Sequence, residues 1–244
     1  MGIGELTALG AIAFAGALVF GLTGFGSALI TIPLASHFVP LPFALALFAL
    51  ADLVSAFGVG LENPRNAVRS EWTRLVPMIL VGTAVGVTAL VNLPRAVGML
   101  LLGVFVLSFA LYTLARRARS RVISARWGLL AGFAGGITSS LFGAGGPPYA
   151  IYLSQRGLTK EQFRATLGFA TMTSISLRVA AFLVTGLLLD TRIWIAAAVA
   201  APCAFAGIAV SRRVFRLISR DALLRAVTVM LLASGASLVV RALG

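Results

Sequence analysis

Gly21-Leu22-Thr23-Gly24-Phe25-Gly26-Ser27 lies deep inside apolar sequence, and a second glycine-broken stretch, Ser140-Leu141-Phe142-Gly143-Ala144-Gly145-Gly146, follows roughly 119 residues later. Backbone polar groups cannot be left unsatisfied in hydrocarbon, so a helix that unwinds inside a membrane is tolerated only where the opened backbone is buried or lines a cavity. Paired breaks in the two halves of a chain point to a transporter-type binding site at their meeting point.

Composition places the chain in a membrane before any motif is used. Hydrophobic residues make up 59% of it and charged residues 11%, with a mean hydropathy of +1.02, far from soluble averages. Apolar runs at Leu41 to Gly60, Leu75 to Leu93, Ala96 to Leu114, Phe163 to Leu188, Ile193 to Val210 and Ala222 to Val240 each approach the ~20 residues that a spanning helix needs. Leu6 to Ser36 and Trp127 to Leu153 are too long for one simple helix and carry the glycine breaks. They read as helical hairpins or as a helix plus a half-helix. The expected fold is an all-α integral membrane protein of about eight hydrophobic elements, multi-pass in the cell (cytoplasmic or inner) membrane.

The N-terminus differs from a signal peptide: Glu5 stands where a basic region belongs, and no small-residue cleavage site precedes the break. It reads as mature sequence. Cys203 is the only cysteine and His37 the only histidine, so one chain supplies neither a disulfide nor a multi-cysteine metal site. His37, beside Pro40, reads as an interfacial loop residue. There is no nucleophile–base pair, nucleotide loop or metal-ligand cluster, and the chain does not read as an enzyme.

The net charge of +13 reflects topology rather than nucleic-acid binding, because the basic residues sit in short inter-helix loops. If every apolar element crosses once, the loop Lys and Arg divide almost evenly and no orientation follows. If each glycine-broken element returns to its starting side, sixteen basic residues gather on one side: Arg65, Arg69, Arg74, Arg116, Arg117, Arg119, Arg121, Arg126, Arg156, Lys160, Arg164, Arg212, Arg213, Arg216, Arg220 and Arg225. The other side keeps Arg95, Arg192 and Arg241. That asymmetry is the one expected of cytoplasmic loops, and it places both termini outside.

A returning element plus three spans makes an odd number of crossings, so the second half begins on the opposite side. The expectation is two inverted repeats, residues 1–120 and 121–244, each opening with a glycine-broken or re-entrant helix and joined by the arginine run Arg116 to Arg126. Leu34 matches Leu153 and Ser55 matches Ser174 at the same offset, and Gly86 matches Gly207 after a small shift.

Gly24-Phe25-Gly26-Ser27 with Pro33-Leu34, and Gly143-Ala144-Gly145-Gly146-Pro147-Pro148, resemble the motifs of the TauE/SafE sulfite exporter family, also called the TSUP anion transporters. The resemblance covers nearly the whole chain. Ser27 stands where the family's usual Gly-x-Gly-Gly has its last glycine, a departure that bears on the substrate pocket. The resemblance implies movement of sulfite, sulfonates or related small organic anions across the cytoplasmic membrane, without a bound cofactor.

A helix that starts after a break directs unpaired N–H groups and its positive dipole end at the gap, which suits an oxyanion. Half-helices are expected to begin near Ala28 and Pro147. Pro147 and Pro148 fit a helix start, while Gly24, Gly26, Gly143, Gly145 and Gly146 let the backbone turn and approach a ligand. Two charges fall inside expected spans, where their cost marks them as functional candidates. Arg178 shares a helix face with Thr171 and Ser174, so an oxyanion can meet a guanidinium and two hydroxyls together. Asp52, three residues before Ser55, is either a proton carrier for coupled transport or the counter-ion of Arg178. Trp72, Trp127 and Trp194 read as interfacial anchors.

The substrate-binding candidates are therefore Gly24, Gly26, Ser27, Gly143, Gly145, Gly146, Pro147, Thr171, Ser174 and Arg178, with Asp52 as coupling candidate. The expected partners are a small anion and the lipid bilayer, with no nucleic acid; a homo-oligomer is compatible with this reading. A secondary anion transporter fits best. The alternatives are a non-transporting assembly or scaffold component, or an anion channel, against which the nearly apolar helices from Leu75 to Leu114 argue.

Overall fold

The computed structural model describes residues 2–115 and 122–214 together with Leu232, Ala236 and Val240. The described residues form helices joined by short turns, with no strand among them. In chain order they are α1 (Ile3–Thr23), α2 (Ser27–Ala35), α3 (Leu41–Gly60), α4 (Arg69–Asn92), α5 (Arg95–Ala115), α6 (Trp127–Phe142), α7 (Gly146–Leu153), α8 (Lys160–Val184) and α9 (Thr191–Val214). Five of them, α1, α3, α4, α8 and α9, are long and apolar enough to cross a membrane. The apolar stretches of α5 and α6 are shorter, at Ala96–Tyr112 and Trp127–Phe142. The sixth expected span, Ala222 to Val240, lies outside the described residues apart from Leu232, Ala236 and Val240.

Both long glycine-containing stretches are hairpins. α1 ends where Gly24 takes φ 80°, with its N–H bonded to Phe20 O at 2.7 Å, and α2 starts after Gly26 at φ 92°. Only glycine reaches these left-handed values cheaply. α2 then folds back along α1, and Gly16 is needed where Thr31 packs against it. In the second half Gly143, at φ 71°, ends α6 with its N–H on Ser139 O. α7 returns along α6 with the Tyr149 ring against Gly135 and the Tyr152 hydroxyl against Gly128.

Small residues set the remaining packing, as is usual where helices meet in lipid. α4 lies along α6 in the same direction, with Gly132 and Gly136 of α6 against the carbonyls of Leu75 and Ile79, and Gly86 of α4 against Ile137. α1 lies along α9 likewise, with Gly10 against Cys203 and Gly207 against the Phe14 carbonyl. α3 and α8 cross antiparallel at the centre, where Gly60 meets Gly168 and Asp52 meets Arg178. Phe105 and Phe109 of α5 stack on Phe142 and meet Phe25 edge-on, so α5 covers both breaks. Many outward residues are apolar, among them Leu80, Val81 and Val85 on α4 and Ile195, Val199 and Phe205 on α9.

Two expectations need correction. α4 begins at Arg69 rather than Leu75, because Glu71 is buried on partners that a hydropathy run does not register. Trp72 is half-buried and donates its indole N–H to Thr173 Oγ1 of α8 at 3.0 Å, so it bonds within the helix packing. Trp127 and Trp194 are exposed at helix starts, as anchors are.

Candidate functional site

The two breaks meet each other. A β-carbon on Gly143 would lie 2.6 Å from that of Ala28 and 2.9 Å from Arg178 Nη1, and Gly146 is pressed against Phe25. Between them is a cavity of about 10 Å³, the space of a single water. Phe20, Phe25, Gly26, Ser27 and Asp52 line it from the first half, and Ser139, Gly143, Ala144, Gly145, Gly146, Tyr149, Thr171, Ser174 and Ile175 from the second. Several lining residues pair at the 119-residue offset that relates the breaks: Phe20 with Ser139, Phe25 with Ala144, Gly26 with Gly145, Ser27 with Gly146 and Asp52 with Thr171.

The starts of α2 and α7 both reach this cavity. First-turn N–H groups have no partner within their own helix, and α2 offers a full set of them beginning at Ser27. In α7 the N–H groups are fewer, since Pro147 and Pro148 have none. The second break compensates with hydroxyls. Tyr149 donates to Ser174 Oγ at 3.0 Å, and the Ser139 hydroxyl is buried at the wall without a hydrogen-bond partner.

An ion pair stands behind this wall. Arg178 Nη2 lies 3.1 Å from Asp52 Oδ2, and the residues are 1% and 4% exposed. Ser27 Oγ donates to Asp52 Oδ1 at 2.6 Å, and Arg178 Nη1 donates to the Ser139 carbonyl at 3.0 Å. Arg178 thus joins the end of α6 to the middle of α3, with Ser27 fastening the start of α2 to the same carboxylate. A buried pair this well bonded adds modestly to stability as a pair, but losing one member leaves a charge stranded.

Of the residues singled out from the sequence, Gly26, Ser27, Asp52, Gly143, Gly145, Gly146, Thr171 and Ser174 line the cavity. Gly24, Pro147 and Arg178 do not. Gly24 shapes the turn, Pro147 occupies the first turn of α7, and Arg178 is screened by Asp52 and Ser139. Thr171 spends its hydroxyl on the carbonyls of Leu167 and Gly168. Ser139 and Tyr149 were missed; the 119-residue offset applied to Phe20 would have found Ser139, whereas nothing in the linear sequence marks Tyr149.

A second polar cluster lies at the basic end. Glu71 is 4% exposed and accepts from Arg74 Nη1 at 2.8 Å, Arg156 Nη2 at 3.0 Å and the Tyr152 hydroxyl. Arg156 also donates to the Ile123 carbonyl. Its guanidinium is held even more firmly protonated than usual by the hydrogen bond to Glu71. The cluster ties the far end of the α6–α7 hairpin to α4 and to residues 122–126. Among the described residues no group of His, Cys, Asp and Glu is arranged to hold a metal ion.

Comparison with curated proteins and with solved structures gives no match. The family model described as sulfite exporter TauE/SafE matches residues 8–238, nearly the entire length. With its multi-pass helices and its two glycine breaks joined at one buried site, the chain belongs to the TauE/SafE sulfite exporter family of membrane transporters.

Proposed function

We propose that the chain is a secondary transporter of small sulfur-containing or organic anions, of the sulfite or sulfonate type, across the cytoplasmic membrane. The observation that carries this reading is the convergence of two half-helix starts, five uncharged polar side chains and the Asp52 carboxylate on one small cavity, with Arg178 paired to that carboxylate behind the wall. Helix N-termini and a guanidinium attract oxyanions. A scaffold has no need for a buried charge at the junction of two broken helices. The cavity has room for one water only, and a sulfonate head is several times larger. A space this small between two broken helices suits a carrier that opens and closes better than a continuous channel.

The transporter works as two inverted repeats, residues 1–120 and 121–244. The antiparallel crossing of α3 and α8, the exchange of partners in which α1 packs on α9 and α4 on α6, and the paired lining residues support this reading. Each half donates one hairpin to the site. Basic loops, including Arg156 and the linker from Arg116 to Arg126, face the cytoplasm, and the starts of α1 and α3 lie towards the opposite side.

Thermal unfolding of the purified protein against sulfite, methanesulfonate, sulfate and acetate tests the reading. A ligand bound only by the folded state stabilises it by mass action, about 2.7 kcal/mol at a hundredfold excess over Kd. Stabilisation by sulfite or methanesulfonate but not by chloride at equal ionic strength is expected. Equal response to every salt would sink the proposal.

A further inference from the structure

Arg178 presents its guanidinium to Asp52 through one prong only. Nη2 is 3.1 Å from Oδ2, Nη1 is held by the Ser139 carbonyl at 3.0 Å, and Nε is buried without a partner. The other carboxylate oxygen is held by Ser27 at 2.6 Å. In a guanidinium, Nε and Nη2 form one edge whose parallel N–H groups match an oxyanion in two-pronged fashion. Asp52 therefore covers an arginine edge that is only half used, and it is Asp52, not Arg178, that lines the cavity.

We infer that the Asp52 carboxylate occupies the place of the substrate oxyanion on Arg178, and that the anion binds there only as Asp52 takes up a proton and releases the guanidinium. This rests on the anion-transport reading above and adds its coupling. Charge balance carries the step. Arg178 and ionised Asp52 are neutral together; an anion on Arg178 beside ionised Asp52 leaves an uncompensated negative charge in the middle of the bilayer, which is costly. One proton from the aqueous phase, bound to a carboxylate oxygen of Asp52, restores neutrality. The protonated carboxyl keeps an oxygen to accept from Ser27 and swings off Nη2. The anion gains the unused Nε as well as Nη2, and Nη2 is returned to Asp52 when the anion and proton leave.

Among the described residues no other charged group is placed to substitute for Asp52. Of the helices packed on α3, α1 has only Glu5, in its exposed first turn, and α2 has no charged or titratable residue. α8 has Lys160, Glu161 and Arg164 in its first turns besides Arg178, and α9 has Arg192, Cys203, Arg212 and Arg213. Tyr149 of α7 bonds to Ser174. Among the described residues, Asp52 is held by Arg178 and Ser27.

Methanesulfonate binding by the full-length protein in detergent, measured by calorimetry across the neutral pH range and in two buffers of different ionisation enthalpy, tests this. Methanesulfonate does not itself titrate there. The native protein should take up close to one proton per anion, and its affinity should fall about tenfold for each unit of rising pH once Asp52 is ionised in the free protein. Asp52→Asn, which mimics the protonated carboxyl, should bind without proton uptake and without pH dependence. Native binding that is flat with pH and releases or takes up no proton overturns the competition while leaving the anion reading intact. No binding of methanesulfonate or sulfite by the native protein at any pH overturns both. If Asp52→Asn does not fold, the native pH profile and proton count decide alone.

Discussion

Removing one charge from the Asp52–Arg178 pair, and then both, reads how far the centre of the molecule depends on it. The partners are 3.1 Å apart with side chains 1% and 5% exposed, so each single substitution strands an almost fully buried charge. Breaking such a pair costs about 3–5 kcal/mol, roughly two to three and a half powers of ten in the unfolding constant at ~1.4 kcal/mol per decade. Arg178→Met also removes one of the two donors to the Ser139 carbonyl, which keeps the Gly143 N–H, whereas Asp52→Asn keeps an acceptor for Ser27. The double variant Asp52→Asn/Arg178→Met strands no charge. Its cost reduces to the lost Arg178 bond at that carbonyl, about 1–3 kcal/mol. Unfolding of the four proteins in mixed micelles, followed by circular dichroism, gives the cycle. Stability of the double variant should approach native even though it binds no anion. A double variant whose loss equals the sum of the single losses would refute the claim that the two charges compensate each other, and tight anion binding by it would exclude Arg178 as the ligand.

Other consequences follow from single side chains. Gly145 has an ordinary helical φ, so its need for glycine is spatial: an added β-carbon falls 2.9 Å from the Gly135 carbonyl oxygen and 3.1 Å from Ser174 Oγ. Gly145→Val should cost about 1–3 kcal/mol through overpacking and abolish transport while the protein still reaches the membrane; wild-type flux would show that the cavity is not the site. Glu71→Gln should weaken the bonds to Arg74, Arg156 and Tyr152 by about 1–3 kcal/mol in total and speed hydrogen exchange at the Ile123 amide, which bonds to the Gln155 carbonyl; unchanged exchange there would show that the cluster does not hold residues 122–126. In a Cys203→Ala background, a cysteine at Gly4 should react with an impermeant thiol reagent in intact cells and one at Ser124 only after permeabilisation, and the reverse pattern would overturn the inverted arrangement.

The helical spans and the two glycine breaks were legible because each rests on a local signal. Length and apolarity mark α3 from Leu41 to Gly60, and glycines mark the two breaks. The return of each hairpin was not visible in the breaks themselves. It followed from the distribution of loop arginines, which depends on the whole chain. What escaped notice depends on packing between distant segments. Glu71 lies outside the apolar run of α4, and its burial depends on Arg156 and Tyr152, about 80 residues away. Tyr149 is unremarkable in an apolar stretch until α7 folds back and brings its hydroxyl to Ser174 of α8. The helix face shared by Thr171, Ser174 and Arg178 was foreseen from spacing, but not that Asp52 and Ser139 would stand between Arg178 and the cavity, because facing residues of α3 and α6 are not encoded in the period of α8.

Flux in proteoliposomes tests the central claim most directly. Purified protein reconstituted into vesicles should move labelled sulfite or methanesulfonate faster than protein-free vesicles, with saturation and with mutual competition between the anions. Gly26→Val, which forces a branched side chain onto a left-handed backbone at φ 92° beside the cavity, should reduce that flux to the protein-free rate. Sulfite and methanesulfonate fluxes indistinguishable from those of protein-free vesicles, in a preparation whose fold is intact by circular dichroism, would contradict the account.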